Sequence, residues 1–167
     1  FSLRDKIYQK SIHLIGALQA ENLLMAALLV ISSGQQESNI FGIIENIKPV
    51  RGRMELAATR KNGATVYVDY AHTPDAIEVA LKSLKPHILG KLIVIIGAGG
   101  ERDEGKRPLM GAAAEKNSDF VIITDDNPRN EDPSSIHQMI KNGIQDNSKV
   151  TVIADRAEAI LKAVDLL

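Results

Sequence analysis

No cysteine occurs anywhere in the 167 residues, which excludes a disulfide framework and any thiolate chemistry and suits a cytoplasmic protein. Nor is there an excess of one charge. Twenty Lys and Arg stand against 21 Asp and Glu, a formal net charge of −1, so no electrostatic case exists for nucleic acid or an anionic membrane as partner. The longest apolar run, residues 23–31, is too short to span a bilayer. No secretory signal is expected at the start, and neither an internal repeat nor a low-complexity tract is present. The chain opens on Phe1 rather than Met and stops on a helical pattern at Leu167, so a piece excised from a longer protein is expected. What remains is room for one domain or one and a half, with enough apolar content for a real core.

The rest of the chain is organised around residues 97–108, Gly-Ala-Gly-Gly-Glu-Arg-Asp-Glu-Gly-Lys-Arg-Pro, which follow the apolar run 92–96. Its four glycines predict close backbone approach to a ligand and positive φ. Five charged residues out of six from Glu101 to Lys106 keep the stretch out of a core, and Pro108 suits the first turn of the helix that follows. Two labels fail here. Arg102 breaks G-x-G-x-x-G, and residues 100–106 meet the first seven places of a phosphate-binding P-loop but put Arg107 where the magnesium-binding hydroxyl is required.

Residues 1–48 differ from the remainder. A strand is expected over 7–15, a helix apolar nearly all round over 21–31, and a second helix over 37–47. Pro49 and Arg51-Gly52-Arg53 mark the expected boundary. Beyond it, 54–59 and 66–70 read as strands joined by an Asn62-Gly63 turn. Thr73-Pro74-Asp75 caps a helix with Ile77, Leu81, Leu84 and Ile88 inward. The strand runs 92–96, 120–124 and 150–153 then alternate with helices beginning near Pro108, Asp132-Pro133 and Asp155. From residue 65 onward this pattern predicts an α/β domain, a Rossmann-like, mostly parallel sheet with helices on both faces. Ligands of such sheets bind outside the carboxyl ends of the strands. There the sequence puts Asp69 and His72, then the glycine loop with Arg102, then Asp126, Asn127 and Arg129.

Together Gly52-Arg53-Met54-Glu55, residues 69–75 (Asp-Tyr-Ala-His-Thr-Pro-Asp), the loop 97–108 and Asp126-Asn127-Pro128-Arg129 resemble the carboxy-terminal part of a Mur ligase. The resemblance implies that 1–48 is a helical remnant of the family's central ATPase domain and 49–167 a truncated carboxy-terminal, amino-acid-binding domain. It implies an ATP-dependent ligase of peptidoglycan precursor synthesis that turns a UDP-N-acetylmuramoyl-dipeptide carboxylate into an acyl phosphate for attack by an amine. Magnesium and the P-loop would belong to upstream sequence, so this chain alone is expected to be inert. A cytoplasmic monomer acting on small molecules is implied.

The resemblance also assigns roles. Arg53 and Asp69 match nucleotide-contacting positions, Gln19 and Asn22 lie where the family has amides beside adenine, and His72 belongs to the same motif. Turn bridging for Arg53 and Asp69, and helix-entry packing for His72, stand as alternatives. Arginine as fourth residue of Asp126-Asn127-Pro128-Arg129 resembles family members that add meso-diaminopimelate. That amino acid differs from lysine by a second carboxylate, which a planar guanidinium grips through two parallel hydrogen bonds. Arg102 matches a second arginine near the same amino acid. The family's later Gly-Lys-Gly-His-Glu segment is absent. Two rivals stay open: a related ligase, lysine-adding or folylpolyglutamate-type, and a non-catalytic α/β nucleotide-binding module.

Overall fold

The computed structural model of the chain describes residues 2–3 and 6–167. The chain divides into two compact units, Phe1–Tyr70 and Ala71–Leu167.

The first unit opens on two short strands, β1 (Ser2–Leu3) and β2 (Lys6–Ile7), paired antiparallel. The strand expected over 7–15 does not extend past Ile7. Tyr8 and Ile12 instead pack on a small core of Ala27, Phe41 and Ile44, and the Tyr8 and Phe41 rings lie 4.3 Å apart. That core joins α1 (Ala17–Ser32) and α2 (Glu37–Ile43), the second continuing into one 3-10 turn. It takes only part of the apolar surface of α1, whose Leu18, Met25, Leu29 and Val30 are exposed.

The same unit ends in a hairpin of β3 (Glu55–Thr59) and β4 (Thr65–Val68), antiparallel with a bulge between Leu56 and Ala58. The Asn-Gly turn thus works as its sequence predicts, with Gly63 at φ 89°. One expectation is corrected. The alternation from residue 65 onward predicts the strand near 66–70 in the parallel sheet, but among the described residues β3 and β4 form a sheet of their own. Closing a short hairpin costs far less chain entropy than a long crossover. The half-exposed residues of β4 also lack the two buried faces a central parallel strand needs.

In the second unit α3 (Pro74–Leu84) leads to β5 (Ile93–Ile96), α4 (Lys106–Asn117), β6 (Phe120–Ile123), α5 (Pro133–Lys141), β7 (Val150–Val152) and α6 (Arg156–Asp165). The three strands form a parallel sheet in the order β5-β6-β7, with Ile93 opposite Phe120 and Val121 opposite Val150. Alternation sorts the side chains. Val94, Ile96, Val121 and Ile123 face a core shared with Ile77 and Leu81 of α3, Met110 of α4 and Ile140 of α5. Ile93, Ile95, Phe120 and Ile122 face Ala159 and Ala163 of α6 on the other side. Runs such as 120–123 are apolar throughout because both faces are covered. Thr73, Asp132 and Asp155 cap α3, α5 and α6 through their side-chain oxygens, as their sequence positions predict.

Candidate functional site

Because β5 and β6 are neighbours, the loops leaving their carboxyl ends lie side by side. Thr124 continues the ladder, its N–H donating to the Ile96 carbonyl at 2.9 Å and its hydroxyl to the Ala154 carbonyl at 3.0 Å. Beyond it the chain turns outward through Asp125 to Glu131. The Gly100 N–H donates to the Asn127 carbonyl at 2.9 Å, and a Cβ on Gly100 would stand 1.9 Å from the Pro128 carbonyl oxygen. That glycine therefore admits the neighbouring loop, where the sequence predicted room for a ligand. Positive φ is also found elsewhere than expected: no glycine of the loop has it, and Glu101 takes φ 53° instead.

Arg129 also sits at positive φ, 51°. Its guanidinium lies over Gly99 and donates through Nη1 to the Gly100 carbonyl. The Asn127 side-chain carbonyl accepts the Arg129 N–H at 3.2 Å, and Asp126 accepts the Asn127 N–H at 2.9 Å. Arg102, Asp126, Asn127 and Arg129 are all exposed on this edge, two arginines from two loops held together by backbone contacts.

Beneath them is a residue that sequence reasoning missed. Arg107, near the start of α4, is fully buried; Nη1 and Nη2 donate to the two Glu131 carboxylate oxygens at 2.7 and 2.9 Å. Glu131 also accepts the Glu101 N–H. The Arg107 guanidinium, and secondarily that N–H, hold the Glu131 carboxyl below the usual glutamate range against the opposing effect of desolvation. A carboxyl whose pKa folding lowers contributes fully above its unfolded value and is lost as pH falls through the folded one. The thermal midpoint is therefore expected to drop as pH falls below about 4, and less so in Glu131→Gln. Equal drops in both proteins, measured by circular dichroism, would show that this contact carries no proton linkage.

Two further residues brace the second loop. His137 of α5 is buried with Nε2 2.7 Å from Asp125 Oδ1, a close contact whose alignment falls short of a hydrogen bond. Arg156, first in α6, donates Nε–H to the Asp125 carbonyl at 3.0 Å. Nothing local marks Arg107, Glu131, His137 or Arg156, since each acquires its partner only through the sheet order.

The remaining expected residues stand on other elements. Asp69 and Arg53 belong to the first unit, where the Met54 N–H donates to Asp69 Oδ2 at 2.9 Å and the Arg53 guanidinium lies 5.0 Å from the Tyr70 ring centre. Asp69 thus fastens the turn before β3, where Met54 takes φ 47°. Gln19 and Asn22 lie one turn apart on α1, and exposed His72 precedes the cap of α3. Among the described residues no group of three or more His, Asp or Glu side chains is placed to hold a metal ion.

The second unit is thus a three-stranded parallel sheet flanked by helices, with two arginine-bearing loops locked at its carboxyl edge, and the family comparison gives its class. Residues 52–167 match the family described as Mur ligase, glutamate ligase domain, and the chain belongs to it. It is similar to the UDP-N-acetylmuramoyl-L-alanyl-D-glutamate--2,6-diaminopimelate ligase of Caulobacter vibrioides, 44% identical over 161 residues, which are 96% of this chain and 32% of that one. The Zymomonas mobilis protein of the same name is 45% identical over 163 residues, 98% of this chain and 33% of the relative. The chain thus spans about a third of the length of these relatives. A solved structure of a ligase of that name superposes with a TM-score of 0.68 at 37% identity, covering 94% of this chain and 32% of the other. The Mycobacterium tuberculosis folylpolyglutamate synthase gives 0.70 at 21% identity, over 93% and 34%, and shows the shared fold.

Proposed function

We propose that the chain is the carboxy-terminal part of an ATP-dependent ligase that joins meso-diaminopimelate to UDP-N-acetylmuramoyl-L-alanyl-D-glutamate in peptidoglycan precursor synthesis. The names of the similar proteins support the reaction. The observation that carries the choice of amino acid is the pair of exposed arginines, Arg102 and Arg129, on two loops pinned to each other. Their guanidinium groups are suited to the carboxylate that distinguishes diaminopimelate from lysine. Asp126 and Asn127 beside them supply acceptors for its ammonium group.

In this reading residues 1–48 close the central ATPase domain and 49–167 begin the amino-acid domain. Arg53, Asp69, Gln19, Asn22 and His72 serve the nucleotide. ATP transfers its γ-phosphoryl group to the glutamate carboxylate and leaves as ADP; the incoming amine then attacks the acyl phosphate, loses a proton and expels phosphate. Magnesium would be held by upstream sequence. The parent protein works as a cytoplasmic monomer on small molecules, and the present chain alone, lacking a complete P-loop, gives no turnover.

Phosphate release by the full-length parent, with ATP, magnesium and UDP-N-acetylmuramoyl-alanyl-glutamate, tests this directly. Turnover with meso-diaminopimelate and little with lysine is expected. Equal turnover with lysine keeps the ligase and removes the carboxylate argument; none with either overturns the reading in favour of a binding module.

A further inference from the structure

We infer that Arg107 and Glu131 are positioning residues for the amino-acid subsite, fixing the separation and orientation of the loops that carry Arg102 and Arg129; the inference rests on the ligase reading above. Arg107 is wholly buried, so it does not reach a substrate at the exposed edge. Its guanidinium binds both oxygens of Glu131, the Gly99 carbonyl at 3.3 Å and the Met139 sulfur at 3.1 Å. One side chain of α4 thus ties the glycine loop to the start of the segment that enters α5.

The links beyond it close a circuit. Glu131 accepts the Glu101 N–H, Asn130 donates to the Glu101 carboxylate at 2.6 Å, and Arg129 donates to the Gly100 carbonyl. Glu101 and Arg129, the residues on either side of this circuit, are both non-glycine residues at positive φ. Such backbone persists only where its surroundings over-determine it. A fold that needed stability alone would be served as well by an apolar pair, since desolvating two charges offsets most of their attraction. A bidentate pair adds direction, and direction is what two converging guanidinium groups require.

The test uses the full-length parent and the phosphate-release assay, with KM measured separately for meso-diaminopimelate and for ATP. Glu131→Gln and Arg107→Lys are each expected to raise the diaminopimelate KM about tenfold, the scale of a sub-ångström to ångström misplacement of binding groups. kcat at saturating diaminopimelate and KM for ATP should stay within about twofold of the unsubstituted enzyme, and the double variant should be little worse than the poorer single one, because both break one contact. Amide exchange at Gly100 and Glu101 should quicken in the same variants. Glu131→Asp, which keeps the charge and shortens the reach, is the milder variant should the others fold poorly, with a smaller rise in the same KM. Lower melting with an unchanged diaminopimelate KM, or a fall in kcat alone, overturns the inference and leaves the ligase standing. An unsubstituted parent inactive with diaminopimelate overturns both.

Discussion

Gly111→Ala and Gly143→Ala are each expected to destabilise the second unit by about 3 kcal/mol, the upper part of the usual range for overpacking a filled interior. A Cβ on Gly111 would stand 2.1 Å from the Ile140 carbonyl oxygen, and one on Gly143 would stand 1.7 Å from the Pro108 carbonyl oxygen. Both obstacles are backbone, so no side chain can swing aside. The two contacts are reciprocal: Gly111 lies in α4 against α5, and Gly143, just past α5, lies against the first turn of α4. Relief therefore requires the helices to part, which opens the core around Met110, Ile136, Ile140 and Ile144. For a unit of this size the loss corresponds to a fall in thermal midpoint of roughly 10–20 °C. Gly42→Ala provides the contrast, since nothing lies within 4 Å of its added Cβ and its place in α2 is helical. That variant is expected to gain up to about 0.5 kcal/mol by helix propensity. A neutral result at Gly111 in chemical denaturation would mean that α4 and α5 do not approach this closely.

The elements that local chemistry dictates were legible. Residues 92–96 and 120–123 read as buried strands because apolar side chains follow one another without a polar break, and Asn62-Gly63 announced the hairpin. Thr73-Pro74, Asp132-Pro133 and Asp155 announced helix starts because capping is settled within four residues. Partnership between distant segments was not legible. The strand at 65–68 has the residues of any strand; the turn announced its pairing with β3, but nothing in it announced that it would lie outside the sheet of β5, β6 and β7. Residues 8–15 likewise gave no sign that Tyr8 and Ile12 would pack on helices rather than extend a strand.

In the candidate site the exposed groups were readable and the support beneath them was not. Arg102, Asp126, Asn127 and Arg129 stand in motifs that mark themselves, and the sheet brings their two loops together. Arg107 entered the sequence reading only as the wrong residue for a P-loop, because a buried guanidinium is credible only once its carboxylate is known. That carboxylate is 24 residues away and reaches it through the rest of α4, the strand β6 and the loop that follows. The glycines of 97–105 were readable as glycines that matter, yet Gly100 serves contact with Pro128, a reason that again depends on strand order.

In the proposed ligase, Arg129→Ala is expected to reduce kcat/KM for meso-diaminopimelate by about 10²- to 10³-fold while changing that for lysine little. Leaving a desolvated carboxylate without its cation costs about 3–5 kcal/mol when the pair is fully buried, and the exposure of Arg129 favours the lower figure. Lysine has no second carboxylate, so the substitution removes nothing it uses; preference for diaminopimelate should fall toward unity. Alanine carries the same Cβ as arginine, so the cost of φ 51° is unchanged and the measured difference belongs to the side chain. Arg129→Lys separates charge from shape. A point charge on a flexible stem should restore part of the diaminopimelate rate without the two parallel hydrogen bonds, leaving it about tenfold below arginine. The Arg129 guanidinium also donates to the Gly100 carbonyl, and this second task has its own signature. If bracing the glycine loop were its whole purpose, Arg129→Ala would lower diaminopimelate and lysine turnover in equal proportion. Selectivity that collapses while lysine turnover survives is what a carboxylate-reading arginine alone produces.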